Sequence, residues 1–181
     1  MLDLIIKNGA CYIDNNLKDV DIGIQSGKII KIGKLDEEAN QLIDANGLTV
    51  LPGCIDTQTH FREPGSTDTE DLSSGSRAAI VGGITSVFEM PNTNPATTNQ
   101  EEFKRKINLA KNRMYCNHAF YFGATPNNQS ELASLKGLEG CCGVKLFAGS
   151  STGTLLVHKE EDIEKVFEST SKIVAVHSED E

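Results

Sequence analysis

Two histidines, a lysine and an arginine stand where this chain could do metal-assisted chemistry. His60 lies in DTQTHFREPG, residues 56–65, with Gln58 two positions before it and Arg62 two after. Lys145 interrupts the apolar run GVKLFAG, and His177 ends the run KIVAVH. An ammonium inside an apolar run must shed its charge or find partners. Taken alone, Lys145 reads equally as a side chain reaching water from a strand end or as an amine that CO₂ has carboxylated. The carbamate would be a negative, two-oxygen group able to bridge two cations. His60 and His177, each read singly, suit structural histidines at least as well as ligands. The three residues together, at the ends of separate apolar runs, favour a metal. Gln58 is the weak member, because an amide oxygen is a poorer zinc ligand than imidazole. His118 begins its run and His158 lies between elements, so both fall outside the set. The Gly149-Ser150-Ser151-Thr152-Gly153 loop lacks the Lys-Ser/Thr ending of a phosphate-binding loop and is a weak anion site.

The elements that must position these residues change character near residue 50. Residues 1–50 read as a small β unit of short antiparallel strands: LDLIIKNG, DIGIQ and KIIKIG joined at Ser26-Gly27, and LTVLPG after Asn46-Gly47. Residues 51–181 alternate apolar runs with helical patterns. VLPGCID, ITSVFEMP, HAFYFGA, GVKLFAG and KIVAVHS read as strands. Helices are expected over 69–83, 99–113, 129–137 and 158–169. The second has Asn99 and Glu102 as a cap and Phe103, Ile107 and Ala110 on one face; the fourth has Ile163, Val166 and Phe167 as its stripe.

Parallel strands with helical crossovers form an open doubly wound sheet or a TIM barrel. Here His60, Asn92 and His177 sit at strand ends and Lys145 inside a strand, which fits a barrel with its chemistry at the carboxyl-terminal face. The expected fold is therefore α/β: the first five βα units of a TIM barrel beside a small N-terminal β-sandwich part. A complete barrel needs roughly 250 residues, so the chain is expected to be a fragment or to obtain the rest of its barrel elsewhere.

Composition narrows the partners. Seventeen Lys and Arg against twenty-six Asp and Glu leave a net charge of −9, the wrong sign for coating nucleic acid or an acidic membrane. The opening MLDLIIKNG has no basic region leading into a long apolar run, and no stretch reaches the roughly 18 apolar residues of a membrane span. A cytoplasmic protein is expected. Five cysteines without a CxxC pair suit reduced, mostly buried thiols, and the adjacent Cys141 and Cys142 should face opposite sides of a strand.

The runs LPGCIDTQTHFREPG, EMPNTNPATT, GVKLFAGSSTG and VHSEDE resemble the N-terminal part of dihydroorotase, a cyclic amidohydrolase. The resemblance implies a barrel with a small β-sandwich built from both chain ends. It also implies the reversible, zinc-dependent ring closure of N-carbamoyl-L-aspartate to dihydroorotate in pyrimidine synthesis. His60, Lys145 and His177 would hold one or two zinc ions, with Lys145 carboxylated. Gln58 stands where the family has the first histidine of Asp-x-His-x-His, although some bacterial members are similar in carrying glutamine. Arg62 would take the substrate carboxylate by its planar fork, with Asn92 as a second contact. Allantoinases and dihydropyrimidinases act on rings without that carboxylate, so Arg62 turns the choice toward dihydroorotase. The metal would polarise the ring carbonyl and activate water. The proton-shuttling Asp and a further His ligand are expected beyond Glu181. A homodimer is expected, with aspartate transcarbamoylase as another partner. Two other readings stay open: a noncatalytic dihydroorotase-like subunit that supports aspartate transcarbamoylase, and a hydantoinase or allantoinase type of cyclic amidohydrolase.

Overall fold

The computed structural model describes residues 1–151 and 153–179, and the chain divides into two units, Met1–Pro52 and Gly53–Glu181. The first unit holds β1 (Leu2–Lys7), β2 (Ala10–Ile13), β3 (Asn16–Asp19), β4 (Asp21–Gln25), β5 (Lys28–Gly33), β6 (Ala39–Asp44) and β7 (Thr49–Val50). They form one sheet in the order β5-β4-β1-β6 and another in the order β3-β2-β7. Ser26 and Gly27 both adopt positive φ, 51° and 72°, the conformation that matches a two-residue hairpin to the strand twist. The unit is not purely antiparallel as expected, since β1 pairs with β6 and β2 with β7 in parallel. The β2–β3 hairpin was also not expected. It turns at Asp14 and Asn15, with φ of 51° and 61°, and these short polar side chains tolerate the left-handed region without the glycine that usually marks such a turn.

The second unit alternates β8 (Cys54–Thr59), α1 (Leu72–Val81), β9 (Ile84–Glu89), α2 (Gln100–Ala110), β10 (Asn117–Gly123), α3 (Gln129–Ala133), β11 (Cys141–Phe147), α4 (Glu160–Ser169) and β12 (Val174–His177). The five strands lie in sequential order and every pair is parallel. A doubly wound sheet reverses its strand order part-way, sending helices to both faces. An unreversed order with right-handed crossovers puts all the helices on one face and curls the sheet, as in a barrel. The core follows from this: Val87, Phe120, Phe122, Val144 and Leu146 of the strands bury against Leu72, Phe103, Leu132 and Val166 of the helices.

Local chemistry sets the helix bounds. Asp71 caps α1, accepting from Ser74 N at 2.6 Å, while Ser74 Oγ accepts from Asp71 N at 3.0 Å. Asn99 caps α2 through Glu102 N at 2.9 Å, as its spacing predicts. The third helix stops four residues short of the expected 137, where Ser134 Oγ bonds the Glu131 carbonyl. Phe167, expected in the α4 stripe, is half-exposed, and Val166 is the buried member. All five cysteines are free: Cys11, Cys116 and Cys141 are buried, Cys142 is partly buried and Cys54 is exposed. Among the described residues no helix is long and apolar enough to cross a membrane.

Candidate active site

The carboxyl ends of β8 to β12 present the candidate residues. His60 follows β8 directly, and its Nδ1 lies 2.9 Å from Asn92 Oδ1, three residues past β9. Two backbone bonds tie these strand-end loops together, Met90 N to Thr59 O and Asn94 N to Pro64 O, each 2.9 Å. Gly65, at φ 126°, closes the join: an added Cβ would come within 3.1 Å of the Asn94 side chain. Lys145 is 2% exposed, with Nζ 5.0 Å from the centre of the Phe147 ring. His177 stands in register with Phe147 on β12, their rings 5.9 Å apart. Phe147 thus neighbours both the lysine and the second histidine. His177 Nε2 contacts Glu179 Oε1 at 3.2 Å. Gln58, by contrast, is exposed on β8 and its side chain has no hydrogen bond among the described residues. His118 bonds the Cys116 carbonyl at the start of β10, the end of the sheet away from this group, and His158 is exposed just before α4. Of the GSSTG loop, Thr152 lies outside the described residues, as do Asp180 and Glu181 of VHSEDE.

Burial holds the His60 pKa below the ordinary histidine value; the Asn92 bond opposes this, and the Arg62 and Lys145 charges add to it. Burial thus favours the neutral imidazole at His60. With Asn92 Oδ1 as acceptor, Nδ1 carries the proton and Nε2 keeps its lone pair, the form that ligates a cation. Asn92 was expected as a substrate contact alone; the structure gives its Oδ1 to His60 and leaves Nδ2 without a partner among the described residues. Burial also lowers the Lys145 pKa, and among the described residues no carboxylate pairs with it. Arg62 is exposed and likewise makes no ion pair among the described residues.

Four supporting residues escaped the sequence reading. Glu63, buried, is gripped by Arg113, whose Nη1 and Nη2 donate to Oε1 and Oε2 at 2.7 and 3.0 Å. Lys106 of α2 and Glu89 of β9, both fully buried, pair beneath the Asn92 loop, and Lys106 Nζ donates to Met90 O at 2.9 Å. The Lys106 ammonium lies 5.4 Å from the Phe120 ring centre. Lys106 had a readable signal, because it falls on the same helix face as Phe103 and Ala110.

The family model for amidohydrolases matches residues 49–175. This chain belongs to the amidohydrolase family. A dihydroorotase of Methanosarcina mazei is similar to it, 39% identical over all of this chain and 40% of its own length. An allantoinase of Salmonella choleraesuis is 42% identical over 82% of this chain and 33% of its own. Among solved structures, an L-hydantoinase (dihydropyrimidinase) from Arthrobacter aurescens superposes with a TM-score of 0.91 at 29% identity, covering 100% of this chain and 42% of that one. The amidohydrolase chain thus spans about two fifths of the length of the relatives it matches most fully. Identity does not rank dihydroorotases above allantoinases, so the distinction rests on particular residues.

Among the described residues no three His, Cys, Asp or Glu side chains cluster as a metal site. The amidohydrolase has two imidazoles and a buried amine with no anionic partner among the described residues. That set would fit a divalent cation if Lys145 were carboxylated, since a carbamate would turn the unpaired amine into an oxygen donor and cancel its buried positive charge.

Proposed function

We propose that the full protein is a dihydroorotase, interconverting N-carbamoyl-L-aspartate and dihydroorotate. One observation carries this reading: Arg62 stands exposed next to the His60 site with no ion pair among the described residues. A planar guanidinium left free there suits bidentate capture of a carboxylate. The Nδ2 of Asn92, with no partner among the described residues, supplies a second donor. In the hydrolytic direction water adds to the ring amide carbonyl, the C–N bond breaks, and the departing nitrogen takes a proton. His60, carboxylated Lys145 and His177 would hold zinc, with Gln58 as a weaker donor; the metal supplies Lewis-acid polarisation of the carbonyl. Arg62 and Asn92 orient the ring by its carboxylate. The sequential strands of the second unit are, on this reading, the first five of an eight-stranded barrel.

The allantoinase and hydantoinase likenesses favour a second reading, a cyclic amidohydrolase for rings without a carboxylate. Steady-state assays of the full protein with dihydroorotate, allantoin and hydantoin separate the two. Dihydroorotate is expected to be preferred, and Arg62→Ala to raise its KM at least tenfold, since a charge-assisted bond is worth about 1.5–3 kcal/mol. Equal kinetics for the Ala variant, or a preference for hydantoin or allantoin, would overturn the assignment. Absence of turnover and of bound zinc would favour the noncatalytic, scaffolding reading.

A further inference from the structure

The loop that carries Arg62 has no helix or strand of its own, yet its exposure alternates sharply: Phe61 buried, Arg62 exposed, Glu63 buried. Both flanking residues are pinned. Phe61 packs against Gly75 of α1 so closely that an added Cβ there would stand 2.5 Å from the ring. Glu63 is held by three donors: the two Arg113 contacts, and Leu72 N, the first residue of α1, to Oε2 at 3.0 Å. Arg113 also lies 3.6 Å from Asp71, the residue that caps α1. Arg113 itself is fixed, since Nη1 donates to Leu109 O at 3.1 Å and the chain turns back after α2 through Asn112 at φ 59°. The Arg113 fork therefore joins the end of α2, the start of α1 and the backbone on the far side of Arg62.

We propose that Arg113 and Glu63 are positioning residues for substrate-carboxylate binding: their bidentate pair sets where the Arg62 guanidinium stands. This rests on the reading of Arg62 as the carboxylate-binding residue. Without the fork, the buried Glu63 carboxylate would keep only the Leu72 amide and would be drawn toward water. Phe61 and Glu63 would then cease to hold the intervening residue outward. Lysine at 113 keeps the charge and loses the fork, so it should restore only part of the effect.

The experiment compares wild type, Arg113→Met, Arg113→Lys and Glu63→Gln in the full protein. It reads dihydroorotate kinetics, zinc content, and amide hydrogen exchange at residues 61–63 and Leu72. Arg113→Met is expected to raise KM about tenfold with kcat within about twofold, to leave zinc content unchanged, and to speed exchange at those amides. Arg113→Lys and Glu63→Gln should fall between, and they decide the matter if the Met variant does not fold. Unchanged KM with unchanged exchange, or a kcat loss at constant KM, would overturn the proposal. Equal effects of Met and Lys that follow only a loss of melting temperature would overturn it too. Should wild type not turn over dihydroorotate, the functional reading fails by itself, and the exchange rates alone judge whether Arg113 holds the loop.

Discussion

On the proposed zinc reading, Gln58 is the residue on which the metal stoichiometry would turn. It is exposed and without a side-chain partner among the described residues, and its amide oxygen is a weaker zinc donor than an imidazole. His60, by contrast, is partly buried, which favours its neutral form, and its Nδ1 faces Asn92, as a zinc ligand would need. If the proposed zinc site holds two ions, the position shared by Gln58 and His60 should lose zinc before the one using His177. Metal analysis of the full protein under graded chelation is expected to show one ion leaving early in wild type and both retained together in Gln58→His. Two equally tight ions in wild type, unaltered by the substitution, would show that Gln58 is no weakened ligand. The candidate residues stood out in the sequence because each breaks a local pattern: a lysine in an apolar run, histidines at strand ends, an arginine beyond one of them. Glu63 and Arg113 were not. Each is an ordinary charge in its own segment, and their meaning lies in a contact across 50 residues of sequence.

The helices and strands set the height and aim of these groups, and the Glu89–Lys106 pair shows how. Lys106 replaces an apolar member of the α2 stripe and reaches across the core to Glu89 and the Met90 carbonyl. Burial drives both partners toward neutrality, raising the Glu89 carboxyl to about 8 and lowering the Lys106 amine, while their mutual attraction opposes it. Glu89 Oε1 has no hydrogen-bond partner among the described residues, so loss of the lysine would strand the carboxylate. In Lys106→Met the Glu89 pKa rises further above its unfolded value of 4.5. Stability is then fullest below that value and is lost as pH rises through the folded pKa. Urea unfolding of the full protein is expected to show Lys106→Met destabilised by about 3–5 kcal/mol, with the loss larger at pH 9 than at pH 7, since wild-type Glu89 keeps its proton up to about 8. Adding Glu89→Leu should recover most of the loss. A loss independent of pH, or no recovery in the double variant, would mean that the pair is not what holds the two elements. At this scale the sequence showed the five parallel strands and the Asn99 cap plainly. It hid the β2–β3 hairpin, whose Asp14-Asn15 turn lacks glycine, and the parallel pairings of β6 and β7, which no local pattern records.

Over the whole molecule, the decisive feature is that among the described residues β8 and β12 are each paired on one side only in the five-stranded sheet. Along β8 no residue is fully buried, and Ile55 is 60% exposed; beside and on β12, Ile173 and Val176 are exposed. Parallel strands are stable when both faces and neighbours are covered, and an uncovered edge offers its unpaired N–H and C=O groups to any other strand. The first unit adds its own apolar surface, with Ile29, Ile30 and Ile32 of β5 and Leu42 and Ile43 of β6 exposed. The barrel reading accounts for this pattern at both sheet edges, since the strands that would close the barrel would cover them. It follows that residues 1–181 expressed alone should associate through those edges and faces. Light scattering is expected to give a mass well above the 19.6 kDa of one chain, and dihydroorotate should not turn over, because a curled half-sheet leaves the His60 site open to water on one side. A soluble monomer of 1–181 with turnover would show that five strands suffice to enclose the site. That result would overturn the barrel reading itself.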